Sequence, residues 1–364
     1  YLQLEHCAMH NRYIYLLSIA LMGSSILSVS LHAESISKRK IELTPTESNI
    51  DFSYANRADA LNVSDAIATQ HKLPKEWVRL LISQSKKISR VIQLMTPAPL
   101  GQQKNWRLYR ERFVEPKRIA AGKRFWKDNQ ITLNKAEKIY GVPPEIIVAI
   151  LGIETYYGKY MGNFRVLDSL ATLAFDFPES HPRQKERSAY FLNELGYLFV
   201  LAKEKGVNPT TLEGSYAGAI GMPQFMPSSW INFAIDFDKD ENIDLINSTE
   251  DIIGSVANYF QKFNWKRGMP THYKITINSN QLQLVNLLEP DILPTFTADY
   301  FAKNGVQLPT QGKRHPGPLA LVELKNGHDS PSFIAGTENF YAITRYNWSS
   351  YYAMAVIELA EAVA

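Results

Sequence analysis

One acid closes an otherwise apolar helical run, and that run limits what the chain can fold into. It reads Pro143-Pro144-Glu145-Ile146-Ile147-Val148-Ala149-Ile150-Leu151-Gly152-Ile153-Glu154-Thr155. Pro143 and Pro144 suit a helix start, where a missing N–H costs little. The three- and four-residue spacing then sets Ile147, Ile150, Leu151 and Glu154 on one face. A segment this apolar must be buried, so Glu154 leaves the core side of its helix. Burial disfavours the charged form of a carboxyl and raises its proton affinity, which makes Glu154 a candidate general acid near neutral pH. A buried Glu can equally be neutralised by an Arg or by backbone donors, and the helix alone does not decide between the two.

The first residues have Arg12 before an apolar run from Tyr13 to Val29, then Leu31-His32-Ala33, a small-residue finish that a signal peptidase accepts. Residues 1–33 therefore read as a secretory signal, with Met9 as a candidate start. A retained transmembrane anchor is the alternative, although the run is short for a bilayer span. Cys7 is the only cysteine and precedes the run, whereas lipid attachment would need a Cys after it. A mature chain from about Glu34 carries no thiol, so stability in an oxidising compartment rests on a core. With 364 residues, 45% of them hydrophobic, the chain is long enough to build one. The net charge of +3 and pI near 8.6 do not signal nucleic acid, and they suit an acidic polymer such as a cell wall.

Residues 34–50, with Lys38-Arg39-Lys40 and Thr44-Pro45-Thr46, read as a linker. From about Ala55 to Gln93 the spacing of Val63, Ile67, Val78, Leu80 and Leu81 predicts an amphipathic helix pair broken at Leu73-Pro74. Further helices are expected at Trp106–Phe113, Ile119–Tyr140, Leu167–Phe175, Tyr190–Lys205 and Tyr351–Val363. Residues 214–227 are rich in Gly, Ala and Pro. From about Thr271 to Tyr341, stretches such as Tyr273-Lys-Ile-Thr-Ile-Asn and Leu319-Ala-Leu-Val-Glu-Leu alternate as strands between Pro and Gly turns.

Glu154-Thr-Tyr-Tyr-Gly158, followed by Gly214-Ser-Tyr-Ala-Gly-Ala-Ile-Gly-Met-Pro-Gln-Phe-Met-Pro-Ser-Ser229, resembles the lysozyme-like lytic transglycosylases that cleave bacterial peptidoglycan. The likeness continues through Ile252–Phe260, Asn339–Asn347 and Ala353-Met-Ala-Val, and it points to the membrane-bound lytic murein transglycosylase B family from about residue 50 to the C-terminus. Glu-Thr alone or a Gly-rich loop alone says little; their ordered combination is specific. No Gly-Lys-[Ser/Thr] follows the glycines, which argues against a phosphate cradle. The resemblance implies an α+β, mainly α fold. A helical domain (51–140, completed by 348–364) would flank a lysozyme-like core (141–268) and a small β subdomain (269–347).

It also implies that Glu154 is the single catalytic acid/base. Glu154 would protonate the glycosidic oxygen between N-acetylmuramic acid and N-acetylglucosamine, then take the proton of the muramoyl C6 hydroxyl as that oxygen closes on C1. The product is 1,6-anhydromuramic acid and no water is consumed, so a second carboxylate is not required. Asp168 and Asp176, the nearest acids in sequence, then read as caps or surface groups. Ser215, Gln224, Tyr259, Tyr346 and Asn347 lie in the matching motifs and would surround the acid and the sugars, with Ser215 and Tyr346 foremost in positioning Glu154 and the acetamido group. Tyr109, Arg187, Tyr190 and, more weakly, Tyr352 match further groove positions, where Arg187 could meet a carboxylate. The charged segment Pro178-Glu-Ser-His-Pro-Arg-Gln-Lys-Glu186, just before Arg187, is longer than the family pattern.

In Asp236-Phe-Asp238-Lys-Asp240-Glu-Asn242-Ile243-Asp244, acids at alternate positions resemble a calcium loop. Glu241 stands where the turn wants Gly, and Asn247 replaces the closing Glu. Asp236, Asp238, Asp240, Asn242 and Asp251, or Glu250 in place of Asp251, are the candidate ligands for a structural Ca2+ or Na+. Catalysis needs no cofactor. The implied partners are peptidoglycan strands and possible cell-wall synthesis proteins, with membrane contact only through a retained signal anchor and a periplasmic location. A peptidoglycan hydrolase (muramidase) and a catalytically silent murein-binding scaffold are the other readings.

Overall fold

The computed structural model describes residues 52–97, 103–278 and 283–364; the expected signal segment and linker lie outside them. The N-terminal part is helical: α1 (Ala58–Gln70), α2 (Lys75–Ser83), α3 (Ser89–Met95), α4 (Trp106–Phe113), α5 (Pro116–Asp128) and α6 (Gln130–Tyr140). Caps fix their starts. The Asn105 side chain accepts the N–H of Leu108 to open α4, and Glu115 accepts those of Lys117 and Arg118 to open α5, with Pro116 in the first turn. The single helix expected over Ile119–Tyr140 is two. Asn129 leaves the helical region, its side-chain amide bonds the carbonyl of Phe125 at 2.8 Å, and the axis breaks there. Gly141, at φ +75°, ends α6 in the left-handed conformation.

The acid-bearing helix follows as α7 (Pro144–Thr155). It is covered all round rather than on one face, because α5, α6, α11 (Thr249–Lys262) and α16 (Ser350–Val363) all pack against it. Val148 and Ala149, off the expected apolar face, are as fully buried as Ile147, Ile150 and Leu151. Each large aliphatic side chain so enclosed contributes about 2 kcal/mol. Beyond α7 the chain forms β1 (Phe164–Arg165), α8 (Val166–Phe175), α9 (Gln184–Lys205), β2 (Glu213–Gly214) and α10 (Pro227–Phe233). α9 starts six residues before the expected Tyr190, so the end of the charged segment forms its first turn and Arg187 lies on a helix.

The remainder holds the small sheets, with β3 (His272–Lys274), β4 (Thr276–Ile277), β5 (Val306–Gln307), β6 (Ala320–Asn326) and β7 (Asp329–Gly336). The antiparallel order β3-β7-β6 places Ala335 between Tyr273 and Leu321, and β4 pairs with β5. Three short helices, α12 (Leu284–Leu288), α13 (Ala298–Lys303) and α14 (Thr310–Lys313), interrupt the expected run of strands. Leu287, Phe301, Val306, Leu319 and Leu321 make a core of their own in this part, while one continuous core runs from Tyr54 to Val363 through the helices and takes in Val322, Leu324 and Ile334 of β6 and β7. α15 (Glu338–Tyr346) and α16 then bring the chain back onto α4, α5 and α7.

Candidate active site

Glu154 sits one residue from the end of α7, where Tyr156, Tyr157 and Gly158 take left-handed φ values of 53°, 59° and 85° in succession. Two tyrosines in that region are unfavourable by about 1 kcal/mol each, so the turn must be held from outside. Thr155 holds it on one side: its hydroxyl donates to Met222 O at 2.9 Å and accepts the Gly158 N–H at 3.0 Å. Tyr157 holds it on the other, its hydroxyl lodged where a Cβ on Gly122 or Gly152 would stand at 2.4 or 2.5 Å. Glu-Thr thus has a local reason. The acid needs its neighbour to pin the helix end to the Gly-rich segment.

That segment folds on itself. The Ser215 N–H donates to Ala219 O at 2.8 Å, Ser215 O accepts the Gly218 N–H at 2.9 Å, and the Ser215 hydroxyl accepts the Ala219 N–H at 3.0 Å, closing a turn at Gly218 (φ +84°). Gly221, at φ +70°, passes so close to Leu245 that an added Cβ would stand 2.2 Å from its carbonyl oxygen. Gln224, itself left-handed, donates from its amide to Met161 O and Gly221 O at 3.1 and 3.0 Å.

The hydroxyl in contact with Glu154 is that of Tyr352, which donates to Oε1 at 2.6 Å. Ser215 and Tyr346, foremost in the sequence reading, are bonded elsewhere: Ser215 within its own turn and Tyr346 through its hydroxyl to Pro223 O at 2.7 Å. Tyr346 nevertheless stacks on Tyr352 at 6.5 Å, and the Glu154 charge acts on both phenols. The Tyr259 hydroxyl bonds Arg345 O at 2.6 Å inside a cluster of Phe225, Phe233, Phe260, Phe263 and Tyr346. Through Tyr346 this cluster reaches Tyr352.

Glu154 keeps some surface of its own, yet so many atoms crowd its carboxyl that burial pushes its pKa up to about 8, with the Tyr352 bond pulling slightly the other way. No carboxylate among the described residues acts on it. Asp168 is tied to Arg165 and the Lys86 N–H, and Asp176 to Tyr54, Arg57 and Lys87. Both acids clamp α8 to the N-terminal helices.

A cleft of about 810 Å3 lies beside this centre, lined among others by Lys104, Tyr109, Arg187, Tyr216, Asn347 and Tyr351. Glu154 is not in its wall and is linked to it through Tyr109, whose hydroxyl burial and then the Glu154 charge hold back from ionising. The Tyr109 hydroxyl and the Asn347 amide nitrogen are buried with no hydrogen-bond partner among the described residues. Arg187 lies over the rings of Phe177, Tyr190 and Phe191 at 6.0, 5.8 and 5.5 Å. Tyr190 hydrogen-bonds Glu194, an acid the sequence reading passed over. Glu194 is buried, with a pKa pushed up to about 7, and accepts the N–H and hydroxyl of Ser228 at 2.9 and 2.7 Å, capping α10. It shares the buried apolar face of α9 with Phe191, Leu198 and Leu201, so the three- and four-residue spacing that marked Glu154 marks it as well.

In the acidic loop, carboxylate oxygens of Asp236, Asp238 and Asp251 lie within 4.8 Å of one another. Asp240 stands outside that group and accepts the Asn242 N–H at 2.8 Å. Glu241 makes the turn at φ +70° without being Gly, as does Lys239 at +69°. Converging carboxylates of this kind fit a hard divalent cation.

Residues 56–361 match the family described as Transglycosylase SLT domain. The chain belongs to this transglycosylase family. The transglycosylase is 34% identical over 332 residues to the membrane-bound lytic murein transglycosylase B of Escherichia coli strain K12, covering 85% of this chain and 84% of that one. It is similar to the Escherichia coli lytic transglycosylase Slt35 in complex with calcium, at TM-score 0.72 and 35% identity over 88% of this chain and 98% of the other. SltB3 from Pseudomonas aeruginosa, solved with NAG-anhNAM-pentapeptide, is 25% identical at TM-score 0.66, with 84% and 79% covered.

Proposed function

We propose that this transglycosylase cleaves the β-1,4 bond between N-acetylmuramic acid and N-acetylglucosamine in peptidoglycan, with Glu154 as acid and then base. The observation that carries the reading is a carboxyl whose pKa burial pushes up to about 8, with a phenol as its direct partner and no second carboxylate among the described residues acting on it. At neutral pH Glu154 holds a proton to give the leaving oxygen. As carboxylate it then takes the proton of the muramoyl C6 hydroxyl while that oxygen bonds C1, so the departing and attacking groups exchange one proton through one residue. A muramidase would need an activated water, which a second carboxylate commonly supplies.

Tyr109 and Asn347 offer unpartnered polar atoms to a bound sugar, and the cleft beside Arg187 suits a negatively charged substituent. Ser215, Gln224, Tyr259 and Tyr346 act mainly by shaping the loop and the aromatic wall, Tyr190 by its bond to Glu194, and Tyr352 by holding Glu154. Asp236, Asp238 and Asp251 would hold a structural Ca2+ that ties the acidic loop to α11 and takes no part in proton transfer. The location that fits this activity is the cell envelope, reached by export. No described helix is long and apolar enough to cross a membrane.

Mass spectrometry of sugars released from murein sacculi tests the proposal. 1,6-Anhydromuramic ends support it, and reducing muramic ends overturn it.

A further inference from the structure

Charge is unevenly spread along this chain. Residues 104–138 hold eleven Lys and Arg against four Asp and Glu, a surplus of seven in a protein whose total is +3. The remainder is therefore net acidic, and the basic surplus sits on α4, α5 and α6.

On this basic flank lies a second cavity, of about 630 Å3, separate from the cleft of Tyr109 and Arg187. One wall is a single face of α5, with Lys117, Ala121, Arg124 and Asp128 at helical spacing beside Phe125. The other is the left-handed turn after Glu154, through Tyr156, Tyr157 and Lys159. Lys117, Arg124 and Lys159 have no ion-pair partner among the described residues, and Asp128 is the one acid in the lining. Lys159 stands 5.9 Å from the Tyr156 ring and 5.3 Å from Tyr160. The cavity thus combines unneutralised cations with an aromatic floor.

We propose that this cavity is a second binding site for the wall polymer, taking a carboxylate-bearing peptide stem while the glycan lies in the cleft near Glu154. The inference rests on the proposed substrate. A carboxylate meets ammonium and guanidinium groups there in charge-assisted bonds, and the methylenes and methyls of a peptide meet Phe125 and Tyr157. The rings beside these cations are packed on each other, Phe125 on Tyr157 at 5.4 Å, and give a peptide's apolar atoms a fixed surface. Two sites on one polymer raise the effective concentration at each, so a weak stem site holds the strand between cleavages. It also gives the enzyme a reason to prefer strands that still carry their peptides.

The test uses the full chain with Glu154→Gln, which leaves the wall intact, sedimented with sacculi bearing peptides and with sacculi stripped of them by an amidase. A Lys117→Ala/Arg124→Ala/Lys159→Ala version, and Arg124→Gln alone as the milder change, are compared at low and high salt. The expected result is about tenfold weaker binding of the triple variant to peptide-bearing sacculi at low salt, with no change on stripped sacculi and with unfolding temperature retained. Equal loss on both kinds of sacculi, or no loss on either, overturns the proposal. Loss confined to vesicles of anionic lipid assigns the cavity to a membrane surface and overturns it as well. Because Glu154 is absent from the assay, failure of the lytic reading shows in the sugar products and failure of the stem site shows in sedimentation.

Discussion

Tyr352 sets how firmly Glu154 holds its proton. Its hydroxyl favours the carboxylate, against a burial that favours the acid. Tyr352→Phe should therefore raise the Glu154 pKa and move the alkaline fall in kcat/KM, expected near pH 8 in the parent, to higher pH; a pH–rate profile reads both. Stability carries the opposite face of the same shift. A carboxyl whose folded pKa is about 8 against 4.5 when unfolded binds its proton more tightly in the folded state, so stability falls as pH rises between those values. Glu154→Gln removes the penalty. It should abolish turnover and raise stability, by nothing near pH 4 and by about 2 kcal/mol near pH 8 once water access to the carboxyl is allowed for, as thermal unfolding across pH will show.

At the scale of elements, the junction of α5 and α7 is built around one phenol. A Cβ on Gly152 would stand 2.5 Å from the Tyr157 hydroxyl and 2.8 Å from its ring, so Gly152→Ala must push out the side chain that braces the left-handed turn. A loss of about 1–3 kcal/mol is expected by denaturant titration, with a fall in kcat larger than any change in KM because the acid is displaced. Much of this geometry was readable beforehand. Pro143 and Pro144 marked the start of α7, and Gly141 and Gly206 ended helices as Gly does. What was not legible depended on contacts distant in sequence. The periodicity of Ile119–Tyr140 gave no sign of the Asn129 break, and nothing local separated Tyr352 from Tyr346 as the partner of Glu154. The short helices among the strands carry too few residues to show a period. Leu80, read with Leu81 and Val78 as core, is 53% exposed, since a hydrophobic residue need not find a partner.

Across the whole molecule, the acidic loop and the returning C-terminal helices hold the site from two sides. Asp251 belongs to α11, which packs on α7, so a cation gripped by Asp236, Asp238 and Asp251 would brace the scaffold of Glu154 without touching it. Calcium should raise the unfolding temperature and a chelator reverse this, while Asp251→Ala cancels the response; calorimetry checks each step. Chain order adds a last consequence. Glu154 meets its phenol 198 residues further along, on α16. A nascent polypeptide that has emerged only as far as residue 340 has its acid but not that partner, so the wall-cutting centre is finished late in synthesis. A protease that clips off the final helix would likewise disarm it while leaving Glu154 in place.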